Sequence, residues 1–246
     1  MIPYIRRNKI LELLHQKDIV YLDELVKEIN VSDATIRRDL KTLSEEGQID
    51  LLTGGAAKIR INAGEKPLDE RVNINKEEKE LIGRYAATLV NDGEFIFVGP
   101  GTTENAMISH LGGRGITVVT NGAFHVNEII KNKIDAIILG GRIINDIAVL
   151  SGPMAIDQVA TMHFDKCFIG CSGISKDRKL TTSDENVALI NKEAMKNSND
   201  VFFIADMSKM GKACRFVFGE INENSKLITV GDVPDFLDGY NVINID

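Results

Sequence analysis

Apolar positions recur at three- and four-residue spacing from Tyr4 to Gln16, where Ile5, Ile10, Leu11, Leu13 and Leu14 mark a predicted helix. The pattern breaks at Lys17-Asp18-Ile19-Val20-Tyr21 and resumes over Leu22 to Ile29, with Leu22, Leu25, Val26 and Ile29 inward. Asn30-Val31 reads as a tight turn. Ser32 is placed to cap a third helix through the unpartnered amides of its first turn, and Ile36, Leu40 and Leu43 form that helix's apolar stripe. Gly47 is the expected stop. Gln48 to Leu52, the turn Thr53-Gly54-Gly55-Ala56 and Ala57 to Ile59 then read as a short β-hairpin. From Lys76 onward the rhythm changes, and helices alternate with short apolar strands. Strands are predicted at Glu94–Val98, Thr117–Thr120, Asp135–Leu139, Lys166–Ile169, Val201–Ala205 and Leu227–Val230. Helices are predicted at Lys76–Asn91, Glu104–Leu111, Ala123–Lys131, Met154–Met162 and Glu185–Asn197. Nearly all-apolar strands separated by helices imply a parallel sheet buried on both faces.

Two architectures in one chain imply two domains. Residues 1–60 are expected to form a winged helix-turn-helix, 61–75 a linker within the polar, irregular stretch 58–75, and 76–246 an α/β domain. In a helix-turn-helix the exposed start of the third helix enters the major groove, so Ser32, Thr35, Arg37, Arg38 and Lys41 are candidate DNA-binding residues. One arginine would fork onto a guanine edge and the other would hold a phosphate.

Composition narrows the function without deciding it. At 43% hydrophobic and 26% charged, the chain has the make-up of a soluble globular protein with no membrane partner, and a cytoplasmic location is expected. The net charge of −7 opposes nucleic-acid binding for the chain as a whole, yet residues 1–60 carry ten basic and ten acidic side chains and are neutral. The acidic excess lies downstream. The three cysteines form no CxxC pair and the four histidines no HExxH motif, so neither disulfide framework nor metal site is expected.

Ligands of open parallel sheets gather at the carboxyl ends of the strands. The strongest candidate there is Val98-Gly99-Pro100-Gly101-Thr102-Thr103-Glu104-Asn105, where amides and hydroxyls opening a helix suit a phosphate. A plain β–α turn capped by threonine fits the same residues. A dinucleotide site fits poorly, since Glu104 stands where the third glycine of GxGxxG belongs and the next strand ends in Thr120-Asn121 without an acid. No cofactor is expected.

The run Val31-Ser32-Asp33-Ala34-Thr35-Ile36-Arg37-Arg38-Asp39-Leu40-Lys41-Thr42-Leu43, followed by Gly47 and Gly54-Gly55-Ala56, closely resembles the signature of DeoR-type transcriptional regulators. The resemblance continues through Gly101-Thr102-Thr103, Val119-Thr120-Asn121, Leu139-Gly140-Gly141 and Asp206-Met207-Ser208-Lys209. It implies a DNA-binding regulator, a repressor of a carbohydrate operon, with a C-terminal domain similar to ribose-5-phosphate isomerase and a sugar phosphate as effector. Carried over by position, Gly101, Thr102, Thr103 and Lys209 would hold the phosphate, and Asn121, Gly141 and Asp206 would line the sugar. The chain departs from the family twice. Asp50, Leu51 and Thr53 stand where arginines and a histidine usually precede the Gly-Gly turn, and Gly99 replaces a common acid, which bears on hydroxyl recognition. The partners expected are operator DNA, a phosphorylated sugar and a second copy of the chain, since paired half-sites call for a homo-oligomer. The alternative is a sugar-phosphate isomerase with an appended DNA-binding domain. Against it, the turn Ile169-Gly170-Cys171-Ser172-Gly173 lacks the carboxylates that aldose–ketose chemistry needs, leaving only Asp184 or Glu185 nearby.

Overall fold

A computed structural model describes residues 2–17, 19–45, 49–59 and 67–245. Gly47, the expected helix stop, and Gly64-Glu65-Lys66 of the expected linker lie outside the described residues. The chain divides into two compact units, Met1–Ile61 and Asn62–Asp246.

The first unit holds α1 (Pro3–Gln16), β1 (Val20–Tyr21), α2 (Leu22–Ile29), α3 (Asp33–Glu45), β2 (Ile49–Leu52) and β3 (Ala56–Ile59). The apolar stripes named above converge, except that Ile5 at the start of α1 is exposed, outside the reach of the core. Ile10 and Leu14 of α1, Leu22, Leu25 and Ile29 of α2, and Ile36, Leu40 and Leu43 of α3 are all buried in one core. Asn30 adopts a left-handed conformation between α2 and α3. Two features escaped the pattern. Val20-Tyr21 forms a strand that pairs with Ala56-Ala57, so β3 is the centre of a three-stranded sheet in the order β1-β3-β2. Beneath it, Arg6 pairs with buried Asp39 through Nε and through Nη2 to Oδ1 at 3.0 Å, tying α1 to α3.

The second unit opens with α4 (Leu68–Asn73) and α5 (Lys76–Thr88). A helix at 68–73 differs from the irregular linker expected there. Its Arg71 is buried and reaches the Ile147 carbonyl, so the side chain that looked like linker polarity belongs to this unit's interior. Then follow β4 (Phe95–Val98), α6 (Thr102–Ile108), β5 (Thr117–Thr120), α7 (Val126–Lys131), β6 (Asp135–Ile138) and the hairpin β7 (Arg142–Ile144) with β8 (Val149–Ser151). The chain continues through α8 (Pro153–Ala160), β9 (Phe164–Ile169), β10 (Gly173–Ile174), β11 (Lys179–Thr182), α9 (Glu185–Lys196), β12 (Ser198–Ile204), β13 (Phe216–Glu220), β14 (Lys226–Thr229) and β15 (Val242–Asn244).

Seven strands form one parallel sheet in the order β15-β14-β12-β9-β4-β5-β6. Alternate residues along each strand serve opposite faces. Phe97, Cys167 and Ile169 pack with α8 and α9 residues Val159 and Ile190. Ile96, Val98 and Phe168 pack with α5 and α6 residues Ile82 and Met107. Burial on both sides is why these strands read as unbroken apolar runs. The strand order grows outward in both directions from the β9–β4 pair. That pair is the topological switch point, where the loops leaving two adjacent strands part and open a crevice. A second, antiparallel sheet, β10-β11-β13, was not legible in the periodicity.

Candidate functional site

The candidate recognition helix, α3, comes first in the chain. Ser32 Oγ accepts from the Thr35 amide at 3.4 Å and lies 2.8 Å from Thr35 Oγ1, so these two candidates build the cap and present it at the helix start. Arg37, Arg38 and Lys41 are exposed. Arg37 is held by Asp33 one turn earlier, Nε to Oδ1 at 2.6 Å, and Lys41 lies 3.8 Å from Glu45. The helix thus offers one arginine held by its neighbour and one, Arg38, that is exposed without an ion pair among the described residues.

At the switch point, β4 runs into Gly99–Gly101 and the first turn of α6, while β9 runs into Gly170-Cys171-Ser172. Gly101, Thr102, Thr103 and Lys209, the four residues expected to hold a phosphate, line the same cleft. First-turn amides have no partner within their helix, and a lysine ammonium supplies the countercharge. The remaining predicted residues fall elsewhere. Gly141 lines a separate groove with Arg142, Ser151 and Met154 along the β7–β8 hairpin. Asn121 is fully buried and its Nδ2 donates to the Leu150 carbonyl at 3.1 Å, joining β5 to β8. Asp206 is fully buried; its Oδ1 accepts from the Ser208 amide at 2.8 Å and from Asn75 Nδ2 at 3.0 Å, which fixes the turn that presents Lys209.

Four residues of this region were not assigned from the sequence. Arg71 lines the cleft and adds a second cation. Glu104 also lines it, with its carboxylate lodged between the two loops: Oε1 accepts from the Gly170 amide at 2.6 Å. A Cβ on Gly101 would lie 1.8 Å from Glu104 Oε2, and one on Gly170 2.7 Å from Oε1, so a side chain at either position would displace the carboxylate from its place. The glycine-rich loop therefore houses an acid here. Asn191 of α9 contributes a buried amide whose Oδ1 has no hydrogen-bond donor among the described residues. His125 sits behind the loop, its Nε2–H donating to the Gly101 carbonyl at 3.0 Å while Nδ1 accepts from Thr120 Oγ1 at 3.1 Å. Burial pushes its pKa down to about 4, against the pull of the Gly101 carbonyl, so the ring is neutral at neutral pH. Close by, buried Lys79 donates to the Arg71 carbonyl at 2.5 Å; burial lowers its pKa, with Asp206 opposing. The local motif signalled none of the four, because each acts across a fold contact.

Comparison with known proteins now decides what these parts belong to. Residues 6–61 match the DeoR-like helix-turn-helix domain and residues 74–230 the DeoR C terminal sensor domain. The chain belongs to the DeoR family of transcriptional regulators. It is 32% identical to the "Uncharacterized HTH-type transcriptional regulator FruR" of Bacillus subtilis, over 96% of this chain and 94% of that one. It is 31% identical to the HTH-type transcriptional repressor GlcR of the same organism, over 89% and 85%. It is 30% identical to the lactose phosphotransferase system repressor of Staphylococcus epidermidis, over 93% and 92%. This DeoR-family chain is accordingly a DNA-binding regulator rather than an enzyme. Ribose 5-phosphate isomerase A of Methanocaldococcus jannaschii overlaps 55% of each chain at 20% identity with a TM-score of 0.41, a partial likeness. The α/β assignment rests on the parallel strand order itself. No helix among the described residues is long and apolar enough to cross a membrane.

Proposed function

We propose that this regulator represses a carbohydrate-utilisation operon and releases its operator when a phosphorylated sugar occupies the cleft at the β4–β9 switch point. One observation carries the effector assignment: Thr102, Thr103, Lys209 and Arg71, from three separated parts of the chain, meet in a single cleft. Two cations and the opening turn of a helix suit a dianion, and two relatives carry the word repressor in their names, one of them with a sugar transport system. On the DNA side, Ser32, Thr35, Arg37, Arg38 and Lys41 take the recognition role, and a homo-oligomer places two such helices on successive half-sites. An effector shifts this equilibrium only by binding the DNA-free state more tightly.

Titrating a panel of pentose and hexose phosphates into a preformed operator complex, followed by gel shift, tests the proposal. One member should release the DNA. Lys209→Ala should raise the concentration needed by about 30-fold, the worth of a charge-assisted contact. An operator complex indifferent to the whole panel would overturn the effector assignment.

A further inference from the structure

The cations of the cleft explain an anion but not what the anion is attached to. Its wall also carries two acceptors that a fully ionised phosphate group cannot use. Glu104 places a carboxylate there, 2% exposed and fixed between the glycine loops by the Gly170 amide. Asn191, also 2% exposed, points an amide into the cleft whose Oδ1 meets no donor among the described residues. A buried acceptor without a donor costs free energy, and a carboxylate beside an anion site repels a bare dianion. Both penalties are relieved by the same ligand feature, a set of hydroxyl groups carried next to the phosphate. Inorganic phosphate has no carbon-borne hydroxyls to offer.

We propose that Glu104 and Asn191 form a hydroxyl-reading subsite that makes the cleft select a polyhydroxylated phosphate ester and reject free phosphate. Hydroxyls of the ester donate to Glu104 and to Asn191 Oδ1 while Lys209 and Arg71 hold its phosphate. The subsite deepens the effector assignment above and rests on it.

Calorimetry on the full-length protein with three probes tests this: inorganic phosphate, methyl phosphate and the sugar phosphate of the panel that releases the operator. Wild type should bind the sugar phosphate at least tenfold more tightly than methyl phosphate. Asn191→Leu keeps the volume and removes the orphaned acceptor, so it should weaken the sugar phosphate about tenfold and leave methyl phosphate unchanged. Glu104→Gln keeps an acceptor for Gly170 but loses the charge, so it should strengthen inorganic and methyl phosphate by about tenfold. Melting temperatures within a few degrees of wild type show that both variants are folded, and either one alone suffices to read the ratio. An unaltered ratio of sugar phosphate to methyl phosphate affinity in the folded variants overturns the subsite while leaving the phosphate cleft standing. Failure of wild type to bind any of the three overturns the cleft, and the subsite with it.

Discussion

Acid should weaken the sensor unit through one histidine. His125 is fully buried, its ring nitrogens face Gly101 and Thr120, and its pKa is pushed from 6.5 down to about 4. In the unfolded chain the ring takes a proton near pH 6.5, whereas in the folded unit it does so only near pH 4. Between those values the unfolded state binds more protons, so stability rises with pH across the window and is lost as pH falls through it. A displacement of this size corresponds to about 3 kcal/mol between pH 7 and pH 4. That is a large share of the roughly 5–15 kcal/mol that holds a domain folded. His125→Gln removes the titration while keeping a polar group behind the loop. At pH 7 the variant should be less stable, by about 1–3 kcal/mol for the lost hydrogen bonds. By pH 4 the gap between wild type and variant should have closed by about 3 kcal/mol and can change sign. Native-state hydrogen exchange of the β4 and β5 amides, corrected for intrinsic rates, reads this unit's opening free energy in the full chain. A gap identical at pH 4 and pH 7 would refute the burial-driven depression. An imidazole resonance titrating near 6.5 in the folded protein would do the same.

Other expectations follow from the first unit and from the turn after β9. Arg37→Ala and Arg38→Ala should each weaken operator binding, a bidentate base contact costing about 1–3 kcal/mol and a phosphate contact flattening the salt dependence by about one unit of slope; gel-shift titration over a salt series separates the two, and unchanged affinity in both removes α3 from recognition. Asp39→Ala breaks the Arg6–Asp39 pair at the α1–α3 junction and should cost about 1–3 kcal/mol; circular dichroism of the full chain showing undiminished stability would contradict that role. The effector, once bound, should not turn over: the one carboxylate lining the cleft among the described residues, Glu104, already accepts from the Gly170 amide, and Asp184 lines the separate β7–β8 groove. A coupled isomerase assay giving product, abolished in Asp184→Asn, would contradict it.

Much of this architecture was legible in the pattern of apolar residues. α2 begins and ends at Leu22 and Ile29 as periodicity requires, and β5 spans Thr117–Thr120 as read. Such elements face one environment along their whole length, so local spacing reports their burial directly. Strands of two to five residues in the antiparallel sheet, such as Gly173-Ile174, are too short to show a period, and β1 exists only because Ala56-Ala57 is opposite it. The loop Gly99–Thr103 and Lys209 were recoverable because glycine, threonine and lysine at strand ends have local chemical reasons to be there. Glu104 appeared in the sequence only as a failed glycine. Its meaning depends on Gly170, sixty-six positions away, and no spacing rule connects them. Arg71 was missed for a related reason, since a charged side chain in a polar stretch looks solvated until the fold closes over it. Asn121 and Asp206 show another case: motif position marked them, and in the fold Asn121 binds the Leu150 carbonyl while Asp206 holds the Ser208 amide and the Asn75 side chain.

The central place of β3 in the first unit has a consequence for building chimaeras. Because Ala56 and Ala57 hold both Val20-Tyr21 and Leu51-Leu52, the wing is stitched to the start of α2. A transplant that carries only the recognition helix, or trims the chain after α3, would leave β1 without a neighbour and expose the underside of Leu22 and Leu25. Operator preference is therefore portable only as the whole stretch from α1 through residue 59. Within that cassette the surface of α3 can be rewritten residue by residue while the stitching stays intact.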